Sequence, residues 1–351
     1  MVTNISAEIT HVEYYLPKVD YSNKNLTSKT KDRVAITSII DKVGIDKKFA
    51  AEKKEFSTDL AVRAATKILN KNPELRNDID FVIFCTQSPE HVLPAGSSFI
   101  QKSLFPDRFI GAIDVSLGCS GFVYCLSIAQ SLIQSSAAKN ILLVTADTYS
   151  KYISSENISV RTIFGDGASA TIIQASNIHE SSNYKSDYGT DGSGIYDLIV
   201  PGSGLKKTSQ IKNENLKPNF IAKIKDLELY MDGPKIFTFA LKAVPSTIKE
   251  TLKKNNLKME DIDIFILHQA NKFMLNTLRK KLGISSDRFY IGLVDKGNTT
   301  SSTIPIALSD AIKEKIVKKN MRVLICGFGV GLSWATSVIH INEKLIKSVM
   351  N

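Results

Sequence analysis

The sequence predicts an α/β protein built from two duplicated halves. Two segments share one pattern, an acidic turn followed by a continuous apolar run: NDIDFVIFCTQ from Asn77 and EDIDIFILHQA from Glu260. Continuous β-rich runs are typical of buried central strands. A second run follows each of them after a similar interval, NILLVTA from Asn140 and RVLICGF from Arg322. The repeated order and spacing favour the duplication of one α/β unit.

Helical patterns precede the first strand of each half. They are STDLAVRAATKIL from Ser57 and FTFALKAVPSTIKETL from Phe237. Between the halves the chain is rich in Ser, Asn, Gly and Lys, which is typical of loops. We therefore expect an N-terminal half at 1–176, a polar insertion or linker at 177–225 and a C-terminal half at 226–351. The insertion fits a lid, a contact for a carrier protein or a solvated surface loop.

Composition limits the class of protein. With 351 residues, 43% of them hydrophobic, the chain has enough apolar material for a buried core. No run of about 18 apolar residues occurs and the start lacks a signal-peptide core, so we expect a cytoplasmic protein without membrane insertion. The net charge of +10 suits nucleic acid, an anionic membrane surface, an acidic protein or a phosphate-bearing substrate. The absence of zinc-ligand spacing and of ribonucleoprotein motifs argues against a metal site and against nucleic acid.

Cys119 is the first candidate nucleophile. It stands in DVSLGCSGFVYCL, where a β-type run from Ile113 meets Gly118 and a long apolar helix follows. A thiol at the first turn of a helix lies at the positive end of the helix dipole, so we expect its pKa below the free value of about 8.5. Gly118 and Gly121 allow a substrate to approach closely. A buried structural cysteine, our interpretation of Cys125, fits the local pattern equally well.

Two polar side chains and one turn are further candidates. His268 directly follows four apolar residues in FILHQAN, and sites form at strand ends in α/β folds. Asn298 stands in DKGNTTSSTIPIAL, where small hydroxyl residues lead into a helix. A structural histidine and a simple helix cap are the alternatives at these positions. The turn GFGVGLSWA, which contains Gly329 and Val330, is a candidate oxyanion hole because its glycines leave N–H groups exposed.

The duplication predicts that these candidates meet. Cys119 lies 38 residues after Phe81, and Asn298 lies 34 residues after Ile264, where Phe81 and Ile264 begin the matching strands. Cys119 and Asn298 should thus occupy pseudo-equivalent places. A pseudo-two-fold arrangement would bring both of them to one central site, with the end of the His268 strand.

Together these motifs resemble the β-ketoacyl-carrier-protein synthase III family of the thiolase superfamily. The resemblance spans nearly the whole chain, in family order: GCSGF, FGDGASA, HQAN, GNTTSS and GFGVGLSW. It implies the thiolase fold, in which two pseudo-duplicated α/β halves form five layers, αβαβα. It also implies a homodimer in fatty acid biosynthesis that uses no cofactor, because CoA-linked or phosphopantetheine-linked thioesters are its substrates.

The resemblance assigns roles to the candidates. Cys119 would take an acyl group from a thioester, and a malonyl thioester would then lose carbon dioxide and attack it. His268 and Asn298 would stabilise the enolate formed from the malonyl thioester. The N–H groups of Cys119 and Val330 would form the acyl oxyanion hole, with Gly329 beside them. Asn271 would orient His268.

Alternatives remain beside this interpretation. A related acyltransferase would pass the acyl group from Cys119 to an amine or a hydroxyl. A partner subunit without activity is the non-enzymatic alternative, which the presence of Cys119 opposes. Non-decarboxylating thiolases carry a His where Asn298 stands, and hydroxymethylglutaryl-CoA synthases carry a Glu near the position of Gln87, so neither class is favoured.

The chain departs from the family at the substrate entrance. The stretch VGIDKK lacks the Trp and Arg that embrace the CoA adenine in typical members. Thr238 and Phe273 replace basic residues that dock the acyl carrier protein, although Lys272 lies close in sequence. The segment from Glu90 resembles the one that reaches across the dimer to shape the partner's acyl pocket. Our candidates for substrate contact are Phe237, Leu93 and Lys272.

Overall fold

The structure is a computed structural model that describes residues 5–27, 33–176, 184–206 and 227–351. Most of its strands belong to two sheets, and short pairs make up the rest. In chain order the strands are β1 Ser6–Tyr15, β2 Val19–Asp20, β3 Phe49–Ala50, β4 Phe81–Cys85, β5 Gly111–Val115, β6 Asn140–Asp147, β7 Gly167–Ser176, β8 Asp187–Thr190, β9 Leu198–Ile199, β10 Tyr230–Met231, β11 Ile264–Leu267, β12 Arg322–Gly329 and β13 Ser333–His340.

The helices connect and cover these strands. In chain order they are α1 Lys24–Thr27, α2 Arg33–Val43, α3 Ser57–Lys71, α4 Leu75–Asp78, α5 Gly96–Leu104, α6 Gly121–Gln134, α7 Ile158–Arg161, α8 Gly233–Lys254, α9 Lys272–Lys281, α10 Thr303–Lys313 and α11 Glu343–Met350. Within the described ranges, none of these helices combines the length and the apolar character needed to cross a bilayer.

Four strands of the first sheet correspond in order to the four strands of the second, which confirms the predicted duplication. The first sheet has the order β1-β7-β6-β4-β5, and the second has the order β11-β12-β13-β8. In the first, β4 and β6 are parallel and β7 runs antiparallel to β6. In the second, β11 and β12 are parallel and β13 runs antiparallel to β12. The strand pairs predicted from the repeated segments are therefore the central pairs of both sheets.

Five layers follow from the way the helices pack. Helices α3 and α5 cover one face of the first sheet, and α8 covers one face of the second with α9 beside it. Helices α6 and α10 lie between the sheets and contact both of them. The side chains of one strand alternate between two cores, as the period of a strand requires: Val82 and Phe84 face α3, whereas Ile83 and Cys85 face α6. This is the predicted αβαβα arrangement.

The predicted insertion at 177–225 lies only partly within the described residues. The expectation that it consists of loops is wrong for Asp187–Thr190, which form β8 and pair with β13 at the edge of the second sheet. It is also wrong for Leu198–Ile199, which form β9 and pair with β10. The sequence of β8 contains a glycine and an exposed tyrosine, so it lacks the apolar run that marks a central strand. The division into three segments stays a prediction.

Candidate active site

The Cys119 thiol lies where β5 is joined to α6. The strand ends at Val115 and the helix begins at Gly121, so the predicted strand, turn and helix are present. Only 5% of Cys119 is exposed, and the N–H groups of Cys119 and Val330 face its sulfur. Gly329 is packed directly against it, because a Cβ at this glycine would lie 2.9 Å from Sγ. Any larger residue at position 329 would displace the sulfur.

The prediction of a lowered Cys119 pKa is wrong. Burial raises the pKa of this thiol to about 12, and the negative charge of Asp147 acts in the same direction. The two N–H groups that face the sulfur favour the thiolate but do not outweigh the loss of water. Helix α6 begins two residues after Cys119, so the sulfur also lies outside the first helical turn. The thiol is therefore protonated until a substrate or a base changes its surroundings.

His268 follows the last residue of β11, as predicted, and only 2% of it is exposed. Its N–H donates to the carbonyl oxygen of Cys326 on the neighbouring strand, which fixes the backbone. The ring nitrogen Nδ1 lies 2.6 Å from the hydroxyl of Thr303 at the start of α10. Burial lowers the pKa of His268 to about 3, so the ring is neutral at physiological pH.

Asn298 is held by both halves of the protein. Its N–H donates to the carbonyl oxygen of Ile163, and its own carbonyl oxygen accepts from the N–H of Gly165, within the FGDGASA region. Its side-chain oxygen Oδ1 accepts from the N–H of Thr300 at 2.9 Å. The amide nitrogen Nδ2 is thereby turned towards His268, where it lies 3.4 Å from Nε2. The two side chains present their nitrogens to the same space.

One cavity of about 320 Å³ brings the three predicted residues together. Cys119, His268 and Asn298 all line it. It reaches the surface between α8 and α9, where the rings of Phe237 and Phe273 are stacked with their centroids 5.4 Å apart. Phe273 is 55% exposed. The cavity is thus a passage from solvent to a buried sulfur, suited to a long narrow substrate arm.

Other predicted residues have mixed outcomes. Gly329 and Asn271 line the same cavity, whereas Val330 lines an adjacent cavity of about 270 Å³. Asn271 caps α9 by accepting from the N–H of Met274, and Nδ1 of His268 contacts Thr303 instead. The orienting role predicted for Asn271 stays a prediction, and the described contact of the His268 ring is with Thr303.

Leu93 and Lys272 lie outside both cavities. Leu93 is 80% exposed on the loop between β4 and α5. The aliphatic part of Lys272 packs against Gly44, where an added Cβ would lie 2.6 Å from Cβ of Lys272. Gly44 also has a positive φ of 66°. Their predicted contact with substrate stays a prediction.

The sequence interpretation missed three residues that support the site: Thr300, Thr303 and Asp147. The two threonines stand in the GNTTSS motif and at the start of the following helix, where they were interpreted only as possible caps. Asp147 is the last residue of β6 and is completely buried. A carboxylate that ends a buried strand is a sequence signal for a functional residue, and it could have been used here.

Comparisons with known proteins agree with this geometry. Residues 113–192 match the family profile described as 3-oxoacyl-[acyl-carrier-protein (ACP)] synthase III, and residues 252–341 match the profile of its C-terminal part. The beta-ketoacyl-[acyl-carrier-protein] synthase III of Clostridium tetani is 35% identical over 330 residues, which are 93% of this chain and 95% of that protein. The chain belongs to the β-ketoacyl-[acyl-carrier-protein] synthase III family. It is a condensing enzyme of the acyltransferase class, and the transfer to an amine or a hydroxyl is not favoured.

Solved structures of synthase III proteins have the same fold. A crystal structure of a 3-oxoacyl-(acyl-carrier-protein) synthase III has a TM-score of 0.87 and 38% identity, and the match covers 96% of this chain and 100% of that one. The 3-oxoacyl-(acyl-carrier protein) synthase of Burkholderia xenovorans has a TM-score of 0.88 and 30% identity, with 97% and 96% covered. The predicted family and the thiolase fold are confirmed.

The neutral state of His268 predicts the pH dependence of the step that it serves. Because the folded pKa is about 3, against an ordinary value of 6.5, the ring should stay neutral from about pH 8 to about pH 5. We expect single-turnover carbon dioxide release from the acylated enzyme to show no ionisation near pH 6.5. A change in the rate of carbon dioxide release near pH 6.5 that is present in wild type and absent in His268→Gln would contradict the neutral state assigned to His268.

Proposed function

We propose that this protein forms a carbon–carbon bond by decarboxylative condensation, with Cys119 as the acyl-carrying nucleophile. The observation that carries the proposal is the single cavity lined by a buried thiol and by two neutral polar side chains, His268 and Asn298. A nucleophile and a separate pair of hydrogen-bond donors suit a reaction in two stages.

In the first stage the Cys119 thiol loses its proton and its sulfur attacks the carbonyl carbon of an acyl thioester. A new carbon–sulfur bond forms, the old one breaks, and the donor thiol leaves with a proton. The N–H groups of Cys119 and Val330, which face the sulfur, are positioned to donate to the oxygen that becomes negative. Burial raises the pKa of this thiol, so its proton must be transferred as the sulfur attacks.

In the second stage a malonyl thioester occupies the same passage. Its thioester oxygen would lie between Nε2 of His268 and Nδ2 of Asn298, which are 3.4 Å apart. Both must donate, so Nε2 must carry the proton of the neutral ring. Nδ1 would then accept from the Thr303 hydroxyl, 2.6 Å away, and that hydroxyl would turn from the carbonyl oxygen of Thr300, to which it otherwise donates at 3.1 Å. The bond to the carboxylate breaks and carbon dioxide leaves. The resulting enolate attacks the acyl carbon, a carbon–carbon bond forms, and the Cys119 sulfur is released as thiolate.

The passage also indicates the form of the substrates. A narrow channel that ends at a buried sulfur suits the flexible arm of CoA or of a phosphopantetheine-bearing carrier, and neither requires a cofactor in the protein. An acyl carrier protein would approach the ends of α8 and α9. The exposed Lys235, Lys242 and Lys272 on these helices suit an acidic partner. We place the reaction in the cytoplasm, in keeping with four free, buried cysteines.

A homodimer is part of the proposal. Strand β5 is at the edge of the first sheet, and its residues are only partly buried. Large apolar side chains beside it are exposed, among them Phe109, Val92 and Leu93. An unpaired edge with exposed apolar side chains favours pairing with a second copy, which would bring Leu93 towards the partner's site. Sedimentation of the purified protein at micromolar concentration tests this assembly, and a monomer would contradict it.

The test of the proposed function is product analysis with the purified protein. We expect a panel of acyl-CoA and acyl-carrier thioesters to include one that adds an acyl mass to the protein. Malonyl-carrier or malonyl-CoA should then discharge the adduct, with one carbon dioxide released for each β-ketoacyl thioester formed. Discharge by an amine or an alcohol without malonyl thioester would contradict condensation, and so would the failure of every donor to acylate the protein.

A further inference from the structure

Asp147 is a fully buried carboxylate that receives hydrogen bonds from two separate loops. Its Oδ1 accepts from the N–H of Gln87 at 2.8 Å and from the hydroxyl of Ser88 at 3.3 Å, both in the loop after β4. Its Oδ2 accepts from the hydroxyl of Ser301 at 2.6 Å and from the hydroxyl of Thr300. The carboxylate therefore joins a loop of the N-terminal half to the loop that follows Asn298.

Thr300 adopts a backbone conformation that a threonine rarely has. Its φ is +52°, in the left-handed region, where a β-branched residue is an outlier, and it is completely buried. Such conformations persist where surrounding contacts impose them, and they cluster at functional sites. Here the imposing contacts are the hydrogen bond that the Thr300 hydroxyl donates to Asp147 and the one that the Thr300 N–H donates to Oδ1 of Asn298.

The strained residue also fixes a side chain of the site. The N–H of Thr300 donates to Oδ1 of Asn298 at 2.9 Å, and this bond turns Nδ2 of Asn298 towards Nε2 of His268. A chain of contacts thus runs from Asp147 through Thr300 to the amide that would bind the malonyl thioester. We propose that Asp147 is a positioning residue for the decarboxylation step, which it serves by holding Thr300 so that the Asn298 amide points into the cavity.

This inference rests on the proposed function. The two stages of the reaction distinguish a failure of the inference from a failure of the proposed function. The nucleophile depends on the turn between β5 and α6 and on the N–H of Val330, which Thr300 does not contact among the described hydrogen bonds. Loss of the Asp147 bridge should therefore impair the malonyl stage. It should not slow acylation, because the negative charge of Asp147 raises the pKa of the Cys119 thiol and its removal acts in the opposite direction. A general loss of folding would impair both stages equally.

The first variant is Asp147→Asn in the full-length protein. The N–H of Gln87 needs an acceptor, so the oxygen of the new amide should face Gln87. The NH₂ group would then face Thr300 and Ser301, whose hydroxyls would lose their acceptor. We expect carbon dioxide release to fall by roughly 10-fold to 100-fold, as for a misplaced catalytic group. Acylation of Cys119 should be no slower than in wild type, because the variant removes a negative charge that opposes the thiolate. Intact mass and single-turnover carbon dioxide release measure the two stages.

A second pair of variants covers the case in which Asp147→Asn does not fold. Thr300→Val keeps the branched shape and removes only the hydroxyl, whereas Thr300→Ser keeps the hydroxyl and should recover most of the loss seen with valine. Thr171→Val is the matched control, since the Thr171 hydroxyl is buried without a partner among the described residues, on β7. It should leave both stages unchanged.

The results decide between the outcomes. Selective loss of carbon dioxide release in Asp147→Asn or Thr300→Val, with recovery in Thr300→Ser, supports the inference. Equal loss of both stages, or no loss in Thr300→Val, overturns it. Wild-type protein that is acylated but never releases carbon dioxide would instead contradict the proposed function.

Discussion

Cys119→Ala is expected to form no acyl adduct with any thioester and to make no condensation product. Cys119 is the only residue with a thiol, hydroxyl, amine or carboxylate side chain among the described residues that line the main cavity. Where a covalent intermediate is obligatory, loss of the nucleophile lowers turnover by on the order of 10⁶-fold. Intact mass after incubation with acyl thioesters measures the first effect, and product analysis measures the second.

The matched control for this variant is Cys125→Ala. Cys125 is also a buried free thiol and lies close by in sequence, on α6, but it faces the core between the sheets. We expect no acyl adduct on Cys125 in the wild-type protein. In Cys125→Ala the adduct on Cys119 should form as in wild type. An adduct of full occupancy on Cys119→Ala would locate the nucleophile elsewhere and overturn the assignment.

Asn298→Asp is expected to separate the two stages of the reaction. The new carboxylate can still accept from the N–H of Thr300, so the loop should keep its conformation, but the donor that faces His268 is lost. Removal of one oxyanion-hole donor lowers rates by about 10²-fold to 10³-fold, and the added negative charge should oppose an enolate further. Carbon dioxide release from malonyl thioester should fall by at least this factor.

Acylation serves as the internal control for this variant. The Asn298 side chain is not among the groups that donate to the Cys119 sulfur, so acylation should fall far less than carbon dioxide release, even with the added negative charge in the cavity. Accumulation of acylated protein in the presence of malonyl thioester is the expected signature. A parallel loss of acylation would mean that Asn298 acts on the nucleophile and not on the malonyl thioester.

Repetition in the sequence predicted both the architecture and the site. The apolar runs of β4 and β11 end at equivalent points, and His268 was recognisable because polar residues abruptly follow the second run. Asn298 could be paired with Cys119 only through the duplication, since its local pattern resembles an ordinary helix cap. The structure brings all three to one cavity.

Properties that depend on how the halves pack could not be predicted in this way. The pattern around Cys119 shows the start of a helix, which favours the thiolate. It does not show how deeply the thiol is buried, and this burial raises the pKa of Cys119 where the sequence predicted a lowered one. The contact of Thr303 with His268 joins residues 35 positions apart, and that of Asp147 with Thr300 joins residues 153 apart. No local pattern contains these pairs. Strand β8 was missed because an edge strand needs few apolar residues.

The layer between the two sheets has a consequence for the enzyme as a whole. A duplicated chain could have kept two separate cores, yet α6 and α10 pack into one apolar cluster that includes strand residues of both halves, such as Ile83 and Ile325. Neither repeat can bury its inner face without the other. Cys119 and the pair formed by His268 and Asn298 therefore meet only when both repeats have folded. An isolated half of this protein cannot act as a smaller, simpler catalyst.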